Sequence, residues 1–293
     1  MNEKNGVAKL ILIVIIAALC LVAWRRVSKD LSTEEGNQEI AQNTESLPEI
    51  TMQPENSISY KTVTDEAFKE AAEYLSGDFM YDGRWQKILC IGDSLTEGVQ
   101  SQAQAPWENP WPTVMRIFLT TQDGWYAEVE NAGIGGSTIW SGGAYPMCER
   151  IQSCSDADAV FVMGGENDWM YGVDCPLGSL EEPGTFMYDT NRMFQYIKER
   201  YADADVFIIL PLDTNRQPEE AGASLDEFRN VEKVLAEFYG FYVIDLPGRG
   251  ILSAADPETR EAYFSDDIHP NTYGYQILGT LITAQALQMS GAK

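Results

Sequence analysis

The chain has 293 residues, 44% of them hydrophobic, which is enough for one large α/β domain or two small ones. Its formal net charge of −25 excludes nucleic-acid-binding proteins, because these need basic side chains to displace counterions from phosphates. The sequence has 1 histidine and no Cys-x-x-Cys pair, which excludes a multi-histidine zinc site, so neither a metal nor a cofactor is expected.

Residues 1–27 contain an unbroken apolar run from Leu10 to Trp24, with Lys9 before it and Arg25 after it. The run is short for a membrane-spanning helix, which needs about 20 residues, and no Ala-x-Ala cleavage site follows it. This pattern favours an apolar helix that acts as an uncleaved signal anchor over a cleaved signal peptide. We therefore expect an extracytoplasmic protein, membrane-anchored or secreted, that contacts the membrane through this segment only.

Residues 28–59 are rich in Glu, Gln, Asn, Ser and Thr and include Pro48 and Pro54. They sustain no apolar period, so the segment cannot bury enough surface to become ordered. We interpret it as a flexible acidic linker.

Residues 60–293 alternate short apolar runs with segments long enough for helices. An apolar helical period that includes Phe68 and Leu75 comes first. Short apolar runs typical of buried strands then follow at Lys87–Ile91, Ala127–Val129, Ala159–Met163, Val206–Leu210 and Phe241–Ile244. This alternation predicts an α/β domain, a three-layer α/β/α sandwich with a central, mainly parallel sheet.

Two later helices carry clear sequence signals. Ser224 and Glu227 form a capping box, and Gly240 supplies a stop at the C-terminal end of the same helix. The apolar stripe of this helix consists of Leu225, Phe228, Val231, Leu235 and Phe238. The last helix follows Pro270 and is apolar along much of its length.

Reactive groups of a parallel sheet gather in the loops beyond the carboxyl ends of its strands, and three unusual loops follow predicted strands here. The first, Gly92-Asp93-Ser94-Leu95, exposes a hydroxyl that can act as a nucleophile. The second, from Asn131 to Thr138, is glycine-rich and can present backbone N–H donors. The third contains Asn167, whose side-chain amide can donate to developing negative charge.

A fourth loop, Asp266-Asp267-Ile268-His269-Pro270, contains the single histidine. The spacing of Asp266 and His269 permits one turn in which the carboxylate reaches the imidazole, and Pro270 restrains the backbone of His269. A hydroxyl nucleophile needs a base with a pKa near neutrality, and His269 is the residue best suited to that task.

In this order, the four loops resemble the motifs of the SGNH or GDSL hydrolases, over the region from about Ile88 to the C-terminal helix. The resemblance implies the flavodoxin-like fold of that family and a serine esterase that works through an acyl-enzyme. The catalytic residues that it implies are Ser94, Asp266 and His269. The oxyanion donors that it implies are the Ser94 N–H, the Gly133 N–H and the Asn167 side chain.

The α/β-hydrolase fold is the main competitor and fits poorly. Its nucleophile lies in a Gly-x-Ser-x-Gly motif, and Thr96 stands here where the second glycine is required.

Several aromatic residues follow the reactive loops closely and are candidates for lining the crevice: Trp107, Trp111, Trp140, Trp169 and Tyr171. Aromatic faces can stack on sugar rings, which favours an acetylated carbohydrate as the substrate. The leading interpretation is a carbohydrate O-acetyl esterase that acts on a small ester or an acylated polysaccharide. The alternatives are a lipase, lysophospholipase or thioesterase for longer acyl chains, and a non-catalytic glycan-binding module.

Cys148, Cys154 and Cys175 are candidates for disulfide pairing if the domain faces an oxidising compartment, and the sequence leaves their connectivity open.

Overall fold

The computed structural model describes residues 59–76, 81–99, 110–119 and 127–291. The apolar run of residues 10–24 and residues 28–58 of the predicted linker lie outside these ranges. Within them, no helix combines the length and the apolar character needed to cross a membrane.

Within the described residues, five parallel strands form the central sheet, in the order β2-β1-β3-β4-β5. Their bounds are β1 Lys87–Gly92, β2 Glu128–Gly133, β3 Ala159–Met163, β4 Asp205–Ile209 and β5 Tyr242–Ile244. Gly92 of β1 pairs with Gly133 of β2 on one side and with Met163 of β3 on the other, so these strands end at one edge. The strand order reverses between β1 and β3, which opens a crevice beyond the carboxyl ends of these strands.

The helices of the described residues are α1 Tyr60–Ser76, α2 Ser94–Glu97, α3 Trp111–Phe118, α4 Met147–Arg150, α5 Glu166–Met170, α6 Phe186–Arg200, α7 Leu225–Tyr239, α8 Pro257–Tyr263 and α9 Thr272–Ser290. Two of them, α2 and α5, begin within three residues of the ends of β1 and β3. They therefore place side chains directly in the crevice.

Side chains of the strands alternate between two cores, one on each face of the sheet. Ile88 and Cys90 of β1 pack with helices α1, α3 and α9, whereas Leu89 and Ile91 pack with α6 and α7. Strands buried on both faces are the reason for the nearly continuous apolar runs of the sequence. The predicted arrangement of a parallel sheet between two helical layers is confirmed.

Helix α7 has the predicted capping box between Ser224 and Glu227, and Gly240 ends it with a φ of 72°. The predicted apolar stripe was wrong at Phe238, which is 54% exposed. In the last turn Tyr239 takes the inward position instead, with its ring stacked 5.8 Å from that of Phe241. Phe228, about three turns earlier in the stripe, is 1% exposed.

The three cysteines that were candidates for pairing, Cys148, Cys154 and Cys175, are free thiols, as is Cys90. Cys148 and Cys175 are buried, and burial raises the pKa of the Cys148 thiol to about 11.

Phe228 and Phe238 offer a matched test of this packing, because both lie on α7 but only Phe228 is buried. We expect Phe228→Ala to lower the free energy of unfolding by about 3–5 kcal/mol, through lost burial and the cavity that it leaves. Phe238→Ala should change it by no more than about 0.5 kcal/mol. Urea unfolding of the two variants measures both values, and equal losses would contradict the assignment of the inward face.

Candidate active site

The first loop turns directly from β1 into the short helix α2, which begins at Ser94. Asp93 caps this helix, since its Oδ1 accepts a hydrogen bond of 2.9 Å from the Leu95 N–H. The first N–H groups of a helix have no partner within the helix. The Ser94 N–H accordingly donates to no acceptor among the described residues.

Two glycines allow α2 to lie against the ends of the strands. A Cβ at Gly92 would lie 2.1 Å from Thr96 Oγ1, and a Cβ at Gly133 would lie 2.2 Å from the Glu97 nitrogen. Both distances are far below a van der Waals contact, so any larger residue would push the helix away from the sheet.

The fourth loop brings His269 to Ser94, although the two residues are 175 positions apart. His269 Nε2 lies 3.0 Å from Ser94 Oγ, and His269 Nδ1 lies 2.8 Å from Asp266 Oδ2. The other oxygen of Asp266 accepts hydrogen bonds from the backbone N–H groups of Ile268, at 2.8 Å, and of His269, at 2.6 Å. Asp266, His269 and Ser94 thus form one hydrogen-bonded row.

Asp266 remains ionised because its hydrogen bonds outweigh its burial. Burial alone would raise the pKa of this carboxyl, but the backbone and side chain of His269 and the Ile268 N–H together hold the pKa below its usual value. An ionised carboxylate on the Nδ1 side favours the tautomer with its hydrogen on Nδ1. Nε2 is then the acceptor that faces the Ser94 hydroxyl.

The glycine-rich loop corrects one predicted role. The Gly133 N–H donates a hydrogen bond of 3.0 Å to Asn131 Oδ1, so it is not available to bind an oxyanion. The Gly135 N–H is also used, since it donates to Glu97 Oε2 at 2.6 Å.

Gly136, which sequence reasoning missed, has an N–H that donates to no acceptor among the described residues. Its φ of 76° is in the left-handed region that favours glycine. A Cβ built on its neighbour Gly135 would lie 3.8 Å from Ser94 Cβ, so this part of the loop is next to the hydroxyl. The adjacent Gly135-Gly136 pair was the available sequence signal.

Asn167 is the second residue of α5, and the residue before this helix is the left-handed Gly165, whose φ is 104°. Its Nδ2 donates to the Ser137 carbonyl at 3.0 Å and lies 3.5 Å from Asp93 Oδ2. The second distance is at the long limit of a hydrogen bond, so one hydrogen of the amide is weakly held. The structure therefore brings Ser94, Asn167, Asp266 and His269 to one rim of the sheet.

Several carboxyl groups are buried beneath this rim. Burial raises the pKa of Asp93 to about 7 and that of Glu166 to about 8. The pKa of Asp168 is raised to about 6 by burial, although its oxygens accept hydrogen bonds from the N–H groups of Ile139, at 3.0 Å, and Trp140, at 2.7 Å. Among the described residues, no group of three or more His, Cys, Asp or Glu side chains is arranged to hold a metal ion.

Glu232 of α7 lies directly below the loop that carries Asn167, since a Cβ at Gly165 would lie 2.3 Å from Glu232 Oε1. Its side chain is fully buried, and within the described part of the chain neither carboxyl oxygen has a hydrogen-bond partner. Burial is the main reason that the pKa of Glu232 is raised well above its usual value, and the nearby Asp168 raises it further. Ionisation of this carboxyl is therefore disfavoured in the folded protein.

The predicted crevice-lining aromatic residues separate into two groups. Trp140 is half-buried and Tyr171 is 40% exposed, and their rings meet edge to face with centroids 5.6 Å apart. The interpretation was wrong for Trp111 and Trp169, which are 0% and 6% exposed and pack in the two cores. Trp107 lies outside the described residues.

The model of the GDSL-like lipase/acylhydrolase family matches residues 90–277, which include the β1 loop, the glycine-rich loop, Asn167 and the Asp266–His269 turn. The chain belongs to this family. It is a GDSL-family hydrolase. No curated protein sequence is similar enough to this chain to count as a match.

Solved structures share the fold of this GDSL-family hydrolase at low sequence identity. A protein from Lactobacillus plantarum is 22% identical, with a TM-score of 0.59 over 70% of this chain and 97% of its own. A possible lipase from Chitinophaga pinensis is 19% identical, with a TM-score of 0.54 over 71% of this chain and 99% of its own. The acetylxylan esterase Axe2 from Geobacillus stearothermophilus is 20% identical, with a TM-score of 0.50 over 71% of this chain and 95% of its own.

The Glu232→Gln variant tests whether the pKa of the buried Glu232 carboxyl is raised in this GDSL-family hydrolase. In the unfolded chain Glu232 ionises with a pKa near 4.5, whereas its pKa in the folded protein is raised well above that value. The unfolded chain therefore loses this proton at a lower pH than the folded protein does, so Glu232 destabilises the fold increasingly as the pH rises above 4.5. Glutamine cannot ionise. We expect the Tm of Glu232→Gln, relative to the unmodified protein, to increase from pH 5 to pH 8.

Glu237→Gln is the matched control, because Glu237 is an exposed glutamate on the same helix. Its Tm relative to the unmodified protein should be nearly independent of pH. A pH-independent difference for Glu232→Gln as well would show that the pKa of Glu232 is not raised by folding.

Proposed function

We propose that this hydrolase is a serine carboxylic-ester hydrolase in which Ser94, His269 and Asp266 form the catalytic triad. The observation that carries the proposal is the hydrogen-bonded row of the three side chains, with contacts of 3.0 Å and 2.8 Å. Ser94 Oγ attacks the ester carbonyl while its proton passes to His269 Nε2. The ionised Asp266 stabilises the imidazolium cation that forms.

The tetrahedral oxyanion needs donors on the side of the carbonyl opposite to the base. We assign this role to the Ser94 N–H, the Gly136 N–H and Asn167 Nδ2. The two backbone groups donate to nothing else among the described residues, and the Asn167 amide has one weakly held hydrogen. Such donors act in place, without reorganisation, and removing one typically costs about 3 kcal/mol of barrier.

The acyl-enzyme then forms as the alcohol departs, and water hydrolyses it. His269 first donates a proton and then accepts one. His269 gives its proton to the departing alcohol, which leaves the acyl group on Ser94 Oγ. A water molecule replaces the alcohol, loses a proton to His269 Nε2 and attacks the acyl carbonyl. The carboxylic acid is released and Ser94 recovers its proton.

We propose an O-acetyl ester of a carbohydrate as the substrate. Trp140 and Tyr171 each lie four residues after a proposed oxyanion donor, Gly136 and Asn167 respectively. Their edge-to-face contact and a 2.7 Å hydrogen bond from Trp140 Nε1 to the Gly184 carbonyl hold the pair in place. A fixed aromatic surface of this kind can stack on a sugar ring. The acetylxylan esterase Axe2 has a similar fold, which is compatible with this substrate class.

We also propose that the catalytic domain acts outside the cytoplasmic membrane. The support for this location is the apolar run from Leu10 to Trp24 and the acidic, proline-containing segment after it. A tethered domain with an open crevice suits an acylated polymer at the cell surface.

Ser94→Ala should abolish ester hydrolysis, and Asn167→Ala should lower kcat by about two to three orders of magnitude while leaving the fold intact. Hydrolysis of p-nitrophenyl acetate and labelling by a fluorophosphonate probe measure these effects, with circular dichroism as the control for folding. Turnover by Ser94→Ala at the level of the unmodified protein would rule out the mechanism. Failure of the unmodified protein to react with the probe would instead favour a non-catalytic binding module.

Tyr171→Ala should raise KM for acetylated xylo-oligosaccharides by about tenfold, corresponding to about 1.4 kcal/mol of lost ring stacking, with little change in turnover of p-nitrophenyl acetate. Phe238→Ala is the matched control, since Phe238 is also an exposed aromatic residue but lies just before β5, at the opposite end of the strands.

A preference of the unmodified protein for long-chain p-nitrophenyl esters over acetyl esters would overturn the carbohydrate proposal in favour of a lipase or thioesterase.

A further inference from the structure

Arg150, the last residue of α4, donates hydrogen bonds to four different parts of the loops around Ser94. The contacts are Nη2 to the Gly92 carbonyl at 3.0 Å, Nη1 to the Ala132 carbonyl at 2.9 Å, Nη2 to Ser137 Oγ at 2.8 Å and Nε to the Tyr145 carbonyl at 2.9 Å. A guanidinium has five N–H groups, so only one is left without a partner in this set.

The partners of Arg150 are close in sequence to two of the proposed oxyanion donors and are joined by a hydrogen bond to the third. Gly92 lies two residues before Ser94, and Ser137 directly follows Gly136. The Ser137 carbonyl accepts the 3.0 Å hydrogen bond from Asn167 Nδ2, so Arg150 also influences the direction of that amide.

The acceptors of Arg150 are all uncharged. Three are backbone carbonyls and one is a serine hydroxyl, and among the described residues Arg150 forms no ion pair. An arginine that neutralises a carboxylate could be replaced by lysine at modest cost, but a planar fork that joins separate segments could not. The Ser137 hydroxyl completes the arrangement, because it donates to the same Tyr145 carbonyl at 2.6 Å.

We infer that Arg150 is a positioning residue for the oxyanion hole. Its hydrogen bonds hold the β1 loop, the glycine-rich loop and, through Ser137, Asn167 in one arrangement. The inference rests on the proposed function, since it assigns Arg150 a role in binding the oxyanion of that reaction. Arg150 touches no reacting atom and acts through Gly92 and Ser137.

Arg150→Lys keeps the positive charge but cannot make the four hydrogen bonds. We expect kcat for p-nitrophenyl acetate to fall by about tenfold to a hundredfold, because misplaced donors stabilise the transition state less, with KM changed by less than about threefold. Arg229→Lys is the matched control. Arg229 makes three hydrogen bonds, to the Pro211 carbonyl, Asp213 and Asp226, and among the described residues it donates to none of the three loops. Its kcat should stay within about twofold of the unmodified protein.

A double-mutant cycle with Asn167→Ala separates positioning from general stabilisation. If Arg150 acts through the oxyanion donors, Arg150→Lys should reduce kcat much less in the Asn167→Ala background than alone. Multiplicative losses, an unchanged kcat in Arg150→Lys, or an equal loss in Arg229→Lys would each overturn the inference.

Ser137→Ala provides the same information if Arg150→Lys does not fold, since it removes only the hydroxyl between Arg150 and Tyr145. We expect kcat to fall about threefold to tenfold, again with a smaller effect in the Asn167→Ala background. An unchanged kcat in this variant would overturn the inference. Absence of ester turnover in the unmodified protein would be a different result, because it would contradict the proposed function itself.

Discussion

The close approach of helix α2 to the ends of β1 and β2 is the constraint on which the site depends. Space for a side chain is lacking at Gly92 and Gly133, where a Cβ would lie 2.1 Å and 2.2 Å from atoms of the helix. The helix therefore starts at the sheet edge itself, with Ser94 as its first residue. This position places the Ser94 hydroxyl within hydrogen-bonding distance of the His269 imidazole, which lies 175 residues later in the sequence.

Electrostatics at the site depend on which carboxyl groups are charged. Asp266 accepts three hydrogen bonds, which lower its pKa, whereas burial raises the pKa of Asp93 to about 7 and that of Glu166 to about 8. Groups of one chemical type are thereby separated into different protonation states by their surroundings. The ionised carboxylate lies beside the imidazole, where positive charge develops in the proposed mechanism. In the proposed mechanism, the carboxyl groups with raised pKa values would oppose the negative charge of the oxyanion less than ionised groups.

Sequence reasoning located the strands well because both faces of the sheet are buried. The bounds of β3, Ala159–Met163, agree with the apolar run itself. The prediction for β2 stopped at Val129, since β2 is an edge strand and its polar Glu130 and Asn131 continue the ladder to Gly133. An edge strand has less need of apolar residues, so its end was not visible in the sequence.

The residues of the site were predictable only where their chemistry is local. Asp266 and His269 lie within one turn, and Ser94 follows directly from a strand, so short motifs contain the information. The choice between Gly133 and Gly136 could not be made in this way, because it depends on which N–H finds an acceptor in the folded chain. Arg150 gave no sequence signal, since three of its four partners are backbone carbonyl groups, which every residue has.

The solitary histidine has a practical consequence for spectroscopy. The sequence contains 1 histidine, and in the structure it is the residue whose imidazole lies between Asp266 and Ser94. An NMR spectrum selective for imidazole groups would therefore contain signals from this ring alone. Its protonation, its tautomer and any response to an acylated serine could be followed without resonance assignment or isotope editing of competing sites.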